Sequence, residues 1–290
     1  MRALLVHNLA AGSGEPTREV LLALLREAGF SVTCSSSDED EFSVALAQGT
    51  DMVIIAGGDG TVAKIARHLP NRKTLLAILP LGTANNIARC LSITGEVETL
   101  IKRLPSAPEK RLDVGIAIGP WGQRYFLESV GWGALAEAVD RSAPRLSREE
   151  RIAHGRKSFA AILTEATPRP VSFEADGNRI EGEFMFVEVL NLGMTGPRVL
   201  ISPSAEPGDR LLDIVYLTAH RRQAMIDWLR SGAVNHPPLE ARKARKVTLT
   251  WEHGPLRVDD EVYPAPDVAS DIVIEIEPHG LHVCVPAVEV

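Results

Sequence analysis

Three short apolar runs constrain this chain more than any other feature. Arg2–His7, residues 51–56 (DMVIIA) and residues 74–79 (TLLAIL) each lead into a loop of glycine and other small residues, and then into a helical pattern. Unbroken apolar runs of that length suit parallel strands buried on both faces. After the first run, Pro16 suits a helix start. Val20, Leu21, Leu24, Leu25 and Ala28 then recur at helical spacing, and Gly29 closes the helix. Residues 30–35 can add a strand, and Ser37 or Asp38 opens a second helix ending near Gly49. This alternation predicts a doubly wound parallel sheet.

Beyond about residue 111 the texture changes. Val171, Phe173 and Ala175 alternate with polar neighbours, and the turn Asp176-Gly177-Asn178 leads into an apolar run ending near Leu190. Residues 211–217, 246–251, 256–262, 271–277 and 281–285 also read as strands, interrupted by helical patterns over 148–165 and 221–232. Closely spaced strands with turns between them predict an antiparallel β-sandwich. The expected division is an α/β domain over residues 1–115 and a β-rich domain over 116–290, with the last few residues free to pack back on the first. A chain of 290 residues that is 45% hydrophobic has material for two such cores.

The net charge of −7 argues against a general nucleic-acid binder. No stretch approaches the roughly 20 apolar residues of a membrane-spanning helix, and the first apolar run is too short for a signal peptide. Cys34, Cys90 and Cys284 are far apart and form no C-x-x-C pair. Reduced thiols in a cytoplasmic protein are the simplest reading.

The loops after the strands hold the chemistry, because ligands of open α/β sheets bind at the carboxyl ends of the strands. Gly57-Gly58-Asp59-Gly60-Thr61 follows the DMVIIA run. Its glycines let backbone approach a ligand, and a helix N-terminus favours phosphate oxygens. Asp59 suits magnesium, directly or through water, or the reacting hydroxyl. The plainer alternative is a tight turn with Asp59 as a helix cap. Pro80-Leu81-Gly82-Thr83-Ala84-Asn85-Asn86 follows TLLAIL, with Asn85 able to donate to phosphate or ribose; here the alternative is a helix N-cap at Thr83. Residues 8–14 form a weaker candidate phosphate loop. None of these is a Walker A sequence, and no G-x-G-x-x-G follows the first strand.

GGDGT followed by PLGTANN-IAR resembles the catalytic domain of the diacylglycerol kinase and sphingosine kinase family, especially its single-domain bacterial lipid kinases. The resemblance spans nearly the whole chain. It extends to residues 8–14, to Arg111-Leu112-Asp113-Val114-Gly115, to the 203–213 segment and to Val258-Asp259-Asp260-Glu261. It implies an ATP- and Mg-dependent kinase acting on a hydroxyl of diacylglycerol or a related lipid, presented at a membrane surface. It implies ATP contacts at Asn8, Leu9, Ala10, Ala11, Gly12, Ser37, Gly57, Gly58, Asp59, Gly60, Thr61, Val62, Ala63, Lys64, Gly82, Thr83 and Asn85. Glu261 matches the family's general base, Asp113 helps organise the site, and Asp59 lies near the catalytic magnesium. Glu206, Asp209 and the Leu211 carbonyl match a structural magnesium site. The location implied is cytoplasmic, peripheral at the inner membrane face, and a homodimer is compatible with it.

This chain departs from the family pattern at Leu9, Lys64, Asn86, Arg210 and Asp260. Lys64 puts a cation where an acidic residue is common, and Arg210 replaces a glycine whose backbone angles arginine resists. Two alternatives stay open, the first because GGDGT alone is shared with NAD kinases and the second because of Lys64, Asn86 and Arg210. One is an NAD-kinase-like enzyme with a soluble acceptor, and the other is a nucleotide-binding regulatory protein that has lost activity. Arg141, Arg145, Arg148, Arg151, Arg156 and Lys157, beside Leu146, could touch anionic headgroups or form a solvated helix face. The Arg242/Lys243/Arg245/Lys246 run is read as a solvated face. His279 and His282 are read as structural, and Gly131-Trp132-Gly133 as a bulge or as backbone near a ligand.

Overall fold

A computed structural model describes residues 1–12, 15–69, 74–139 and 147–286. Ser13, Gly14, Arg141, Arg145 and Leu146, singled out above, lie outside the described residues. The chain divides into two units, residues 1–112 with 279–290, and residues 113–278.

In the first unit the apolar runs become β1 (Arg2–His7), β3 (Met52–Gly57) and β4 (Leu75–Pro80), with β2 (Ser31–Ser36) at one side. Every residue of β3 is buried, as expected of a parallel strand covered on both faces. Helices α1 (Arg18–Glu27), α2 (Glu39–Ala47) and α3 (Asp59–Arg67) separate these strands, and α4 (Asn86–Cys90) follows β4. Thr17 caps α1 by accepting from Val20 N, and Asp38 caps α2 through the Asp40 and Glu41 amides. Helix α5 (Val97–Arg103) and strand β5 (Glu109–Leu112) complete the run. Among the described residues the sheet order is β2-β1-β3-β4, then the strand Leu281–Cys284, then β5. The strand Leu281–Cys284 is parallel to β4 and antiparallel to β5. Residues 281–284 thus lie in the first sheet, not among the sandwich strands. The Cys284 thiol is free and buried, and burial pushes its pKa up.

The second unit begins with a hairpin, β6 (Gly115–Gly119) and β7 (Gly122–Phe126), followed by β8 (Ser129–Gly133) and α6 (Ala134–Val139). Helix α7 spans Arg148–Glu165, opened by a capping box between Ser147 and Glu150. The antiparallel body follows as β9 (Arg169–Ala175), β10 (Asn178–Leu190), the short pair β11 (Met194–Thr195) and β12 (Val199–Leu200), and β13 (Leu212–Thr218). After α8 (Arg222–Arg230) come β14 (Glu240–Ala244), β15 (Lys246–Trp251), β16 (Leu256–Val258), β17 (Glu261–Tyr263) and β18 (Ser270–Ile276). The strand Leu281–Cys284 of the first unit is β19.

The second half of β10, from Phe184 on, and nearly all of β13 are buried on both faces. Val187, Val189, Ile214 and Tyr216 enter a core shared with Phe173, Leu249 and Trp251. Phe186, Leu190, Val215 and Leu217 face the opposite way, into a core with Phe159 of α7 and Met225 and Trp228 of α8. The architecture is that of an antiparallel β-sandwich with helices on its outer face.

One expectation needs correcting and another needs refining. Residues 256–262 do not form one strand. Asp259 adopts φ 49°, and the chain folds back so that β16 pairs with β17. The 240–244 segment is an edge strand whose Arg242 and Lys243 stay exposed, so the solvated face holds but is more ordered than expected. Arg242 Nε donates to Tyr216 Oη at 3.4 Å, and Lys243 meets two aspartates. Arg210 does adopt the left-handed conformation that a glycine would favour, at φ 63°.

Among the described residues no helix is long and apolar enough to cross a membrane. Arg156 of the basic segment does not reach outward. Its guanidinium donates to the carbonyls of Pro197 (3.1 Å), Gly232 (2.7 Å) and Arg198 (2.7 Å), and partial burial lowers its pKa.

Candidate functional site

The loops after β1, β3 and β4 meet at the carboxyl end of the first sheet. They form an open cleft of about 470 Å³ lined by Asn8, Ala10, Ala11, Gly12, Ser37, Gly58, Gly60, Thr61, Lys64, Gly82 and Thr83. Small residues are required for this convergence. A Cβ on Gly82 would collide with the Gly58 Cα and lie 2.8 Å from Asn85 Oδ1. Gly12, at φ 66°, packs against the Leu81 carbonyl with no room for a side chain. Asn8 fixes the first loop to α3, its Nδ2 donating to Thr61 Oγ1 at 2.8 Å and its Oδ1 accepting from Ala10 N at 3.0 Å. The α3 N-terminus opens at Gly58 with no side-chain cap, so its amides and the positive end of its dipole belong to the cavity wall. Lys64 adds the cation.

The remaining residues of the expected nucleotide set serve the loops from behind. Val62 and Ala63 are buried on the core side of α3. Gly57 packs against Thr61, and Leu9 is 59% exposed away from the cavity lining. Asn85 is turned inward. Its Nδ2 donates to the carbonyls of Pro80 (2.9 Å) and Gly82 (3.1 Å), so it braces the loop instead of donating to a nucleotide. Asn85, at φ 53°, is the residue preceding α4, and Thr83 does not cap that helix. Asp59 caps a helix other than its own: its Oδ1 accepts from Ile87 N in the first turn of α4, at 2.9 Å. That bond ties the GGDGT loop to the PLGTANN loop.

In the second unit Glu261 opens β17 with a side chain 47% exposed. Tyr263 Oη donates to Glu261 Oε2 at 2.7 Å, and Arg124 Nε is 3.8 Å from the same oxygen. Trp121 stacks on Tyr263 at 4.1 Å between ring centroids. Burial, then the Glu261 hydrogen bond, raises the Tyr263 pKa despite Arg124, so its proton stays on the phenol. Sequence reasoning missed these neighbours. The i, i+2 spacing of Glu261 and Tyr263 on one strand face was the available signal for Tyr263.

Behind Glu261 lies a buried polar frame. Asp259, 4% exposed, accepts from the amides of Leu127 (2.9 Å), Glu128 (2.8 Å) and Ser129 (3.3 Å). Arg257, 2% exposed, donates to the Asp259 carbonyl, Ser129 Oγ, Thr195 Oγ1 and Glu188 Oε1. Burial pushes the Glu188 carboxyl up against the pull of Arg257. Gly131, opposite Glu188 in the β8–β10 register, leaves room for that carboxyl, and any Cβ there would strike it. The Gly131-Trp132-Gly133 segment thus houses the buried pair.

Asp113 is 1% exposed, and its Oδ2 accepts from Arg210 N at 2.6 Å. Asn191 Nδ2 holds the Asp113 carbonyl at 2.9 Å and the Leu127 carbonyl at 2.8 Å. Asp113 therefore organises backbone.

Within the expected structural-metal set, Asp209 already faces a cation of the chain itself, Lys243. Asp209 Oδ1 accepts from Leu211 N at 2.9 Å and Oδ2 from Lys243 Nζ at 2.8 Å. Among the described residues no group of three His, Cys, Asp or Glu side chains comes together as a metal site.

Comparison with known proteins divides the chain in a similar way. Residues 2–117 match the diacylglycerol kinase catalytic domain, and residues 129–285 match the YegS C-terminal NAD kinase beta sandwich-like domain. A diacylglycerol kinase of Staphylococcus saprophyticus is 26% identical over 277 residues, covering 90% of this chain and 88% of that protein. A diacylglycerol kinase of Bacillus subtilis is 27% identical over 233 residues, covering 74% and 73%. The crystal structure of a diacylglycerol kinase from Bacillus anthracis superposes with a TM-score of 0.75 at 22% identity, over 98% of this chain and 96% of that one.

Proposed function

Because the chain belongs to the family that joins a diacylglycerol kinase catalytic domain to a YegS C-terminal sandwich-like domain, and is a kinase, we propose that it transfers the γ-phosphate of magnesium-bound ATP to a hydroxyl of diacylglycerol or a related lipid. The observation that carries the nucleotide half is the cavity at the carboxyl ends of β1, β3 and β4, walled by glycines, the α3 N-terminus and Lys64. Phosphoryl transfer asks for positioning and charge neutralisation more than for covalent chemistry. The α3 amides and Lys64 supply both to a triphosphate. Magnesium arriving with ATP neutralises further charge, and Asp59 is the loop carboxylate suited to meet it through water.

The lipid half rests on Glu261 and on the names of the relatives. Glu261 takes the proton of the acceptor hydroxyl. Tyr263 and Arg124 hold its Oε2, and the Asp259–Arg257 frame fixes the start of β17 behind it. Such an enzyme is cytoplasmic and meets its lipid by reversible, local contact at the inner membrane face.

Radiolabelled ATP with magnesium, offered diacylglycerol, monoacylglycerol, ceramide, sphingoid base, phosphatidylglycerol and NAD, tests the reading. Label in a glycerolipid supports it, and label in NAD alone overturns it. ATP binding with no labelled product leaves the regulatory alternative standing. Glu261→Gln should lower turnover by about 10²–10⁴-fold without unfolding the protein. Turnover equal to wild type removes Glu261 as the base.

A further inference from the structure

Two carboxylates of the second unit converge on one lysine. Asp213 of β13 and Lys243 of β14 are direct cross-strand partners. Lys243 Nζ lies 2.8 Å from Asp209 Oδ2 and 3.5 Å from Asp213 Oδ2. Asp213 is 2% exposed, and its Oδ1 accepts from Ser202 Oγ at 2.7 Å and Ser204 Oγ at 3.3 Å. Asp209 is held by its own turn, its N–H donating to the Glu206 carbonyl at 3.3 Å. Two carboxylates flanked by hydroxyl and carbonyl oxygens make the oxygen-rich surroundings that hard divalent cations use. The cation present is an ammonium carried by the chain itself.

We propose that Lys243 is a built-in counter-ion: its ammonium takes the place of a structural divalent metal between Asp209 and Asp213, and sets the 203–213 loop without metal. The loop carries Arg210 at φ 63°, a backbone conformation that a non-glycine residue keeps only when its surroundings hold it. From that position the Arg210 N–H donates to Asp113 Oδ2. Lys243 is therefore a positioning residue for Asp113, acting through the loop. This last consequence rests on the proposed role of Asp113. The replacement of metal by lysine does not, and it is tested without substrate.

Thermal unfolding of the intact, nucleotide-free protein is followed in EDTA and in millimolar Mg²⁺, for wild type, Lys243→Met and Lys243→Arg. Wild type is expected to show the same midpoint in both buffers. Lys243→Met is expected to lose about 3–6 °C in EDTA and to regain most of it in Mg²⁺, because the vacated carboxylates now accept the metal. Lys243→Arg is expected to remain metal-independent. A wild-type midpoint that falls in EDTA and recovers in Mg²⁺ overturns the proposal, as does a Lys243→Met protein that Mg²⁺ does not rescue. Mn²⁺ titration of nucleotide-free wild type covers the case in which Lys243→Met does not fold. Absence of a site that competes with Mg²⁺ supports the proposal, and a site lost on Asp209→Asn refutes it.

Discussion

Removing the Asp259 carboxylate should destabilise the second unit. This side chain accepts three consecutive backbone amides, Leu127, Glu128 and Ser129, at 2.9, 2.8 and 3.3 Å, in a position 4% exposed. Hydrogen bonds to a charged group contribute about 1.5–3 kcal/mol each, and a buried donor left without a partner costs about 1–3 kcal/mol. Counting the two shorter bonds near the lower end gives about 3–4 kcal/mol for Asp259→Ala. Alanine also tolerates φ 49° less well than aspartate, which adds about 1 kcal/mol. Asp259→Asn keeps one oxygen for Glu128 and Ser129 and tolerates the backbone, but sets an amide donor against the Leu127 N–H. About 2 kcal/mol is expected there. All four tryptophans, Trp121, Trp132, Trp228 and Trp251, lie in the second unit, so their fluorescence reports its urea unfolding. With a slope of about 2 kcal/mol per molar urea, the midpoint should fall by about 1 M for Asn and about 2 M for Ala. An alanine midpoint matching wild type, or an asparagine variant less stable than the alanine one, would refute this account of the frame.

Two further outcomes follow from the first unit. Gly82→Ala should raise the dissociation constant for ATP by about tenfold or more in calorimetry, because its Cβ collides with Gly58 and crowding of this kind costs about 1–3 kcal/mol. Unaltered ATP affinity would mean that the loops do not need their close crossing. His7 is 2% exposed, and among the described residues its Nδ1 has no hydrogen-bond partner; burial, then the Arg18 charge, lowers its pKa. The folded state therefore favours neutral imidazole. The resulting stability is fully present above the ordinary histidine pKa of about 6.5 and is lost as pH falls through the lower folded value. Hydrogen exchange of the β1 and β3 amides should quicken in that window for wild type and less so for His7→Gln, and identical pH profiles would exclude His7 as the cause.

How much of this was legible in the sequence depended on whether a residue's partner was local. Strands β1, β3 and β4 announced themselves because burial on both faces demands an unbroken apolar run, and the glycine loops after them had to hold whatever the sheet binds. Glu261 and Asp113 emerged through a family resemblance and Asp59 from its glycine loop, and the structure gives them different surroundings: one exposed, one buried against backbone, one capping a neighbouring helix. Strand β14 was not legible, since Glu-Ala-Arg-Lys-Ala reads as solvated until Asp209, Asp213 and Tyr216 are known to face it. The division of labour between Asp259 and Glu261 was equally hidden. What buries the first is a set of amides some 130 residues away in the chain. Asn85 looked like a ligand donor because composition does not reveal that its amide is consumed by Pro80 and Gly82.

The place of β19 between β4 and β5 bears on how the chain is made. The whole of the second unit is an insertion between two neighbouring strands of the first. A ribosome that has released residues 1–112 has delivered most of that sheet with its next strand still unsynthesised. Until β19 arrives, β4 offers an open edge, and such edges recruit other chains. The second unit can finish on its own contacts while the first waits, so folding order runs against synthesis order. Closing the sheet then means joining segments about 200 residues apart, a pairing whose loop entropy would be heavy in an unfolded chain and is light once the insertion has collapsed. Loss of the few residues that form β19 should therefore cost the chain its nucleotide-binding end, though they contribute nothing to the cavity lining.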